Sequence, residues 1–169
     1  MGYWGYYVVA RSERPLSEFD ALGGVREELM LLEERAGDWQ VWECSGGGDR
    51  PRAMGSMNAL AAQTGAPALF AYVMDSRCVV IEAAAPEGGA WATCMGRAAT
   101  AAFLGGDERS LEDYFLPARD AAERAVVWAA EGGRTVAAKP LADVLAAPAE
   151  PSAEELFFRF LDRLGVVAR

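Results

Sequence analysis

The sequence predicts an α+β protein: a mainly antiparallel sheet of about five or six strands, flanking helices and a helical C-terminal third. Three observations carry this expectation. Short runs of aromatic and β-branched residues follow one another up to residue 95, two of them around the turn dipeptide Asp75-Ser76. From Gly96 onward the apolar spacing becomes helical. Helix start and stop signals, Pro117, Gly132-Gly133 and Ser152, then recur to the end. Residues 1–104 are therefore read as the sheet region and 105–169 as a helical region packed on it, together one domain.

Taken in order, residues 3–11 (YWGYYVVAR) have strand composition and no helical period. Both alternating sets, Tyr3/Tyr7/Val9 and Trp4/Tyr6/Val8, are apolar, which places the strand centrally with both faces covered. Pro15 and Ser17 punctuate a turn or short helix. Residues 25–36 (VREELMLLEERA) support two readings. Val25, Leu29 and Leu32 fall at helical spacing, whereas the run Leu29–Leu32, joined by ERAGD to the strand Trp39–Cys44, would make a hairpin. The balance leans to strand.

After a Gly-rich stretch, Ala53–Gln63 reads as a helix closed by Gly65 and Pro67. Ala68–Met74 and Arg77–Ala84 form a hairpin about Asp75-Ser76, and Ala90–Met95 follows PEGG as a third strand. Arg97–Leu104 is a short Ala-rich helix, Pro117 opens a helix running to Glu131, and Pro140 opens another. AAPAEP (146–151) is a linker, and Ser152 with Glu155 makes a capping box before a last helix. Leu156, Phe157, Phe160, Leu161 and Leu164 line one face of that helix, for docking on the chain's own sheet or on a second subunit.

Composition narrows the chemistry. The chain has 169 residues, 52% apolar and 24% charged, as expected of a soluble globule, and it contains no histidine. Ser-His-Asp and Cys-His nucleophiles, His metal sites and His acid–base work are thereby excluded. Lys139 is the sole lysine against fifteen arginines, a bias of the kind high-GC genomes produce. Net charge is −9 and evenly spread: thirteen acids against eight bases up to residue 104, twelve against eight beyond it. No basic region exists to meet phosphodiesters or anionic lipid, so neither nucleic acid nor membrane is expected as a partner, and a basic protein is. Three isolated cysteines, no signal peptide and no long apolar run predict a reduced, cytoplasmic protein.

Each candidate site residue has a chemical reason. Gly46–Arg52 (GGGDRPR) joins a strand to a helix and carries Arg50 and Arg52. Its spacing fits neither a P-loop nor a dinucleotide fingerprint, which leaves a loose connection or a weak site for a small anion. Glu43 and Glu82 stand at strand ends among apolar neighbours, where burial would raise a carboxyl pKa for acid–base work and an arginine or water would hold it ordinary. Trp39, Trp42 and Trp91 lie on strands, either filling the core or lining a ligand pocket. Cys44, Cys78 and Cys94 read as buried small side chains; Cys94, before Gly96-Arg97 and a helix start, is the best placed to react.

A small acidic α+β chain with a Trp-rich antiparallel sheet and flanking helices resembles the immunity and adaptor proteins of bacterial toxin systems. The resemblance is one of overall style, no motif carries it, and no residue role is transferred. It implies inhibition or tethering of a basic partner through complementary charge. The leading expectation is thus a cytoplasmic, non-enzymatic binding or protein-interaction domain without cofactor or metal. The alternative is a small-ligand protein or His-independent enzyme with a sheet-lined pocket built from Trp39, Trp42, Glu43, Arg50, Arg52, Glu82 and Trp91. A homodimer is a further expectation, through the last helix.

Overall fold

The computed structural model describes residues 2–45, 56–106 and 108–167. Six strands make one antiparallel sheet: β1 (Gly5–Arg11), β2 (Met30–Arg35), β3 (Trp39–Ser45), β4 (Ala68–Met74), β5 (Cys78–Ala85) and β6 (Gly89–Met95), in spatial order β2-β3-β1-β4-β5-β6. Among the described residues the α-helices are α1 (Met57–Thr64), α2 (Arg97–Phe103), α3 (Ala118–Glu131), α4 (Ala138–Ala146) and α5 (Ala153–Arg163). Short 3-10 turns cover Leu16–Glu18, Asp20–Val25 and Glu108–Asp113. The fold is α+β, with helices gathered in the C-terminal part.

β1 lies between β3 and β4, and its two apolar faces explain that position. Tyr7 and Val9 point to one side, with Trp39, Val41, Leu69, Ile81 and Trp91. Helices α3, α4 and α5 cover this face through Ala125, Trp128, Leu145, Leu156, Phe157, Phe160 and Leu161. Tyr6 and Val8 point to the other, with Trp42, Cys44 and Phe70, under Leu16, Leu22, Val25 and the α1 side chains Met57 and Leu60. Alternation of period two across a sheet covered on both sides produces both clusters from one strand sequence.

The ambiguous segment resolves as a turn followed by a strand. Val25 ends a 3-10 turn, Leu29 is buried beneath the Trp42 face, and Met30–Arg35 pairs with β3. Its helical spacing and helix-favouring Glu and Arg residues are overridden because β3 offers a paired partner while an isolated helix of this length is marginal. A bulge at Leu32 shifts the register, so Leu31 pairs with Trp42 on one side of it and Glu33 with Val41 on the other.

Local signals account for most helix ends. Ser152 caps α5 by accepting from the Glu155 N–H at 3.3 Å, and Ser56 caps α1 by accepting from Ala59 at 3.1 Å. The sequence expectation of a helix from Ala53 lies in part outside the described residues, as does the Gly46–Arg52 stretch with Arg50 and Arg52. Helix α4 begins at Ala138 rather than at Pro140, which occupies its first turn, where no backbone donor is required. The Gly132-Gly133 stop also serves packing: a Cβ on Gly132 would stand 2.5 Å from Trp39 Cζ2, so the end of α3 can lie on the indole only without a side chain. Trp39 meets Trp128 at 5.3 Å between ring centroids, and Trp128 Nε1 donates to the Ala68 carbonyl at 3.0 Å.

Candidate functional site

The two sheet edges are treated differently. On β6, the outer edge is closed: Arg124 Nη2 donates to the Gly88 and Ala90 carbonyls at 3.0 and 3.2 Å, and the Leu116 N–H donates to the Ala92 carbonyl at 2.9 Å. On β2, no described segment other than β3 pairs with the strand; only beyond its end does Ala36 N–H donate to the Val167 carbonyl. The open strand presents Met30, Leu31 and Leu32 at 69%, 45% and 46% exposure, three successive large apolar side chains. Acids bracket them: Glu27 and Glu28 before, Glu33 and Glu34 after. Such an edge is a ready template for another strand.

Cross-strand register decides which β2 side chains face which way. Met30, Glu33 and Arg35 share the face of Glu43, Val41 and Trp39, under α5. There Arg35 is buried, with Nη1 donating to Asp162 at 3.1 Å and to the Val166 carbonyl at 2.6 Å, an ion pair to Glu33, and its guanidinium 5.7 Å from the Phe158 ring centroid. Satisfying a buried guanidinium this fully pins β2 to the helical layer. Leu31 and Glu34 instead share the face of Trp42 and Gln40.

On that face a cavity of about 310 Å³ opens beside the strand edge. Leu31, Pro15, Trp39 and Trp42 supply its apolar walls, Ser12 and Gln40 its neutral polar groups, and Glu13, Glu34 and Asp38 its charges. Among the described residues, three carboxylates and no base line it. Gln40 builds the wall. Its Nε2 donates to the Ser12 and Arg14 carbonyls at 2.8 and 2.7 Å, while Oε1 accepts from Leu16 N at 3.0 Å and from Trp42 Nε1 at 2.8 Å. One buried amide thus ties the Ser12–Leu16 strap to the sheet and fixes the Trp42 indole, using all four of its hydrogen-bonding positions. Asp38, at φ 67°, sits in the β2–β3 turn, where Asp tolerates the left-handed region.

The carboxylate singled out on β3, Glu43, belongs to a different cluster. Tyr3 Oη donates to Glu43 Oε2 at 2.7 Å, Tyr3 stacks on Tyr7 at 5.9 Å, and Tyr7 stacks on Phe157 at 5.5 Å. Ser76 Oγ donates to Glu154 Oε2 at 2.9 Å and accepts from Tyr3 N at 2.7 Å. Burial, then the hydrogen bond to Glu43, pushes the Tyr3 phenol well above its ordinary range. Burial pushes Tyr7 up to about 12, with the charges of Glu43 and Glu154 acting in the same sense. Both phenols are protonated at neutral pH, and the cluster ties the N-terminal segment to β3 and α5.

A second cavity, about 980 Å³, is an open cleft among the β4–β5 turn, the starts of α2 and α3, and the 145–151 segment. Arg77 and Arg97 line it together with Asp75 and Glu112. Arg97 is engaged with the Leu116 carbonyl at 2.7 Å and Thr93 Oγ1 at 3.2 Å; Arg77 lies 5.9 Å from the Phe103 ring centroid. Among the described residues no group of acids or cysteines has metal-binding geometry, and no helix is long and apolar enough to cross a membrane.

The structure separates the candidate residues read from the sequence. Trp39, Glu43 and Trp91 belong to the face beneath α3–α5, with Trp39 wholly buried and Trp91 8% exposed. Trp42 and the exposed Glu82 belong to the opposite face, Trp42 on β3 and Glu82 on β5 opposite Phe70 and Ala92. Arg50 and Arg52 lie outside the described residues. Trp39 and Trp42 both line the acidic cavity, although their indoles belong to opposite faces of the sheet. Cys44, Cys78 and Cys94 are all fully buried, and burial raises the Cys78 and Cys94 thiols, Thr100 being a neighbour of both. Glu13, Glu34, Asp38 and Gln40 escaped sequence reasoning. The one available signal was the EE…EE bracket around MLL, visible in VREELMLLEER. Comparison with protein families, with curated proteins and with solved structures gave no match.

Proposed function

We propose that this chain is a non-enzymatic protein-interaction domain of the cytoplasm that binds a basic partner protein at the β2 edge. One observation carries the reading: a cavity whose described lining holds Glu13, Glu34 and Asp38 and no base adjoins an open, apolar strand edge. Three exposed carboxylates contribute about 0.2–1 kcal/mol each to a cation held among them, a gain that salt screens. The net charge of −9 acts over longer range, steering a basic protein in and repelling nucleic acid and anionic lipid. A role like that of immunity or adaptor proteins, suggested by overall style, is compatible with this surface.

The test is affinity capture with the intact protein from cell extract, against a Glu13→Gln/Glu34→Gln/Asp38→Asn variant, at 50 and 300 mM salt. The account expects basic proteins retained by the wild type at low salt, released at high salt and lost by the variant. Equal capture by both proteins, or turnover of a metabolite without any protein partner, would refute it.

A second reading is favoured by the cleft near Arg77 and Arg97: a small anionic ligand. Thermal shift with inorganic phosphate and simple dicarboxylates, repeated on Arg77→Gln, distinguishes it, since the cleft and the β2 edge share no lining residue among those described.

A further inference from the structure

Resting on the anionic-ligand reading of the cleft, we propose what it takes: a short zwitterionic peptide, its terminal carboxylate on the Arg97 guanidinium and its ammonium end among the acids of the lining. The way the cleft is built supplies the first half. At Gly96, φ is 71° and a Cβ would stand 2.4 Å from the Arg77 carbonyl oxygen. Only glycine lets the start of α2 lie directly against the end of the β4–β5 turn. The next residue, Arg97, lines the cleft and is held in place: its Nη2 donates to the Leu116 carbonyl at 2.7 Å and to Oγ1 of the wholly buried Thr93 at 3.2 Å. Both acceptors are neutral, so the anchoring leaves the positive charge whole, and no described residue accepts from Nε or Nη1. A fixed guanidinium with donors to spare suits two-point contact with a carboxylate. Arg77 is drawn instead toward the Phe103 ring, 5.9 Å from its centroid, which makes Arg97 the anchor.

Charge and size choose the occupant. The lining also holds Asp75, Glu112 and Glu150, drawn from the β4–β5 turn, the Glu108–Asp113 turn and the 145–151 segment. None of the ion pairs among the described residues uses these acids or either arginine. Asp75 Oδ1 accepts from the Gly2 N–H at 2.8 Å, which orients the carboxylate without neutralising it. Both signs therefore face one space. A dianion such as phosphate would gain Arg97 but meet three carboxylates, whereas a ligand with one negative and one positive end answers both. At about 980 Å³ the cleft stands at the upper end of ligand cavities and exceeds what a single amino acid fills. Ala146, Ala147, Pro148 and Ala149 offer the body of the peptide a wall of small apolar groups. Capture of a terminal carboxylate is a recurring mode of peptide recognition.

The experiment titrates the whole protein, at constant ionic strength, with four probes: trialanine, its C-terminal amide, its N-acetyl form and succinate. Binding is read from the backbone amide resonances. The proposal predicts saturable shifts at Gly96–Ala99 and Ala147–Glu150 with trialanine, and at least about tenfold weaker binding of both the amide and the N-acetyl form. Succinate should bind more weakly than trialanine. Arg97→Gln should weaken trialanine at least about tenfold. Glu112→Gln/Glu150→Gln, at two exposed positions that leave folding intact, should narrow the gap between trialanine and its N-acetyl form. The comparison of probes on the wild type decides the matter even where Arg97→Gln does not fold. Equal affinity for trialanine and its amide, or shifts confined to another part of the chain, would overturn the proposal. Succinate bound in the cleft more tightly than trialanine would overturn the peptide assignment and leave the anionic-ligand reading standing. If none of the four probes binds, both fall.

Discussion

Replacing Gln40 by methionine removes four hydrogen bonds while keeping the side chain's length and volume. The wild-type amide bonds Ser12, Arg14, Leu16 and Trp42 at distances between 2.7 and 3.0 Å, and Gln40 is 5% exposed. At about 1 kcal/mol net per hydrogen bond the ceiling is about 4 kcal/mol. The Ser12 and Arg14 carbonyls lie on a strap that water can reach, which returns part of that loss. Leu16 N and Trp42 Nε1 are enclosed and stay unpaired. The expected cost is about 2–3 kcal/mol, or roughly 4–12 °C in Tm for a chain of this size. Urea unfolding followed by tryptophan fluorescence measures it. Gln40→Glu supplies a sharper comparison: its carboxylate could still accept from Leu16 and Trp42 but would oppose two carbonyls, so it should cost at least as much. A methionine variant within about 0.5 kcal/mol of wild type would refute the idea that this amide holds the strap and the cavity wall together.

Three other outcomes follow from the same structure. Tyr3 and Tyr7 have folded pKa values raised above the unfolded value of about 10, so their contribution is fully present below pH 10 and is lost as pH climbs toward about 12. Absorbance at 295 nm should show two phenols ionising late and together with loss of the circular dichroism signal; five phenols titrating together near pH 10 would contradict this. Cys44, Cys78 and Cys94 should resist a thiol reagent in the native state and react together in urea, and rapid native labelling of any one would count against their burial. Gly132→Ala forces its Cβ against Trp39 and should cost about 1–3 kcal/mol in the same unfolding assay; a neutral result would mean α3 and the indole can shift apart freely.

How much of this was legible in the sequence depends on the range of the interaction involved. β4 and the capped α5 were readable because local chemistry sets them: a turn dipeptide between apolar runs, and a Ser three residues before a Glu. The central place of β1 was readable because two apolar faces require covering on both sides. Residues 25–36 were only half readable, since helical spacing and strand composition coexist there and the decision comes from hairpin pairing with β3 across a three-residue turn. The 3-10 turn Glu108–Asp113 carries no strong local signal at all. For the site, tryptophans on one strand look alike in sequence, yet alternation sends Trp39 beneath α3 and Trp42 beneath the Ser12–Leu16 strap. The acidic cavity draws Glu13, Glu34 and Asp38 from three separate segments, and only the folded strap brings them together. Edge exposure is likewise a property of strand order, so Met30–Leu32 could be read as core from composition and as surface only from topology.

The central claim is that the acidic cavity beside β2 recognises a basic partner. Isothermal titration of a captured basic protein, against the wild type and the Glu13→Gln/Glu34→Gln/Asp38→Asn variant at 50 and 300 mM salt, tests it most directly. The account predicts at least a tenfold loss of wild-type affinity between the two salt concentrations, and a variant whose affinity at 50 mM is already as weak as the wild type's at 300 mM. Equal affinities for the two proteins at both salt concentrations would contradict it.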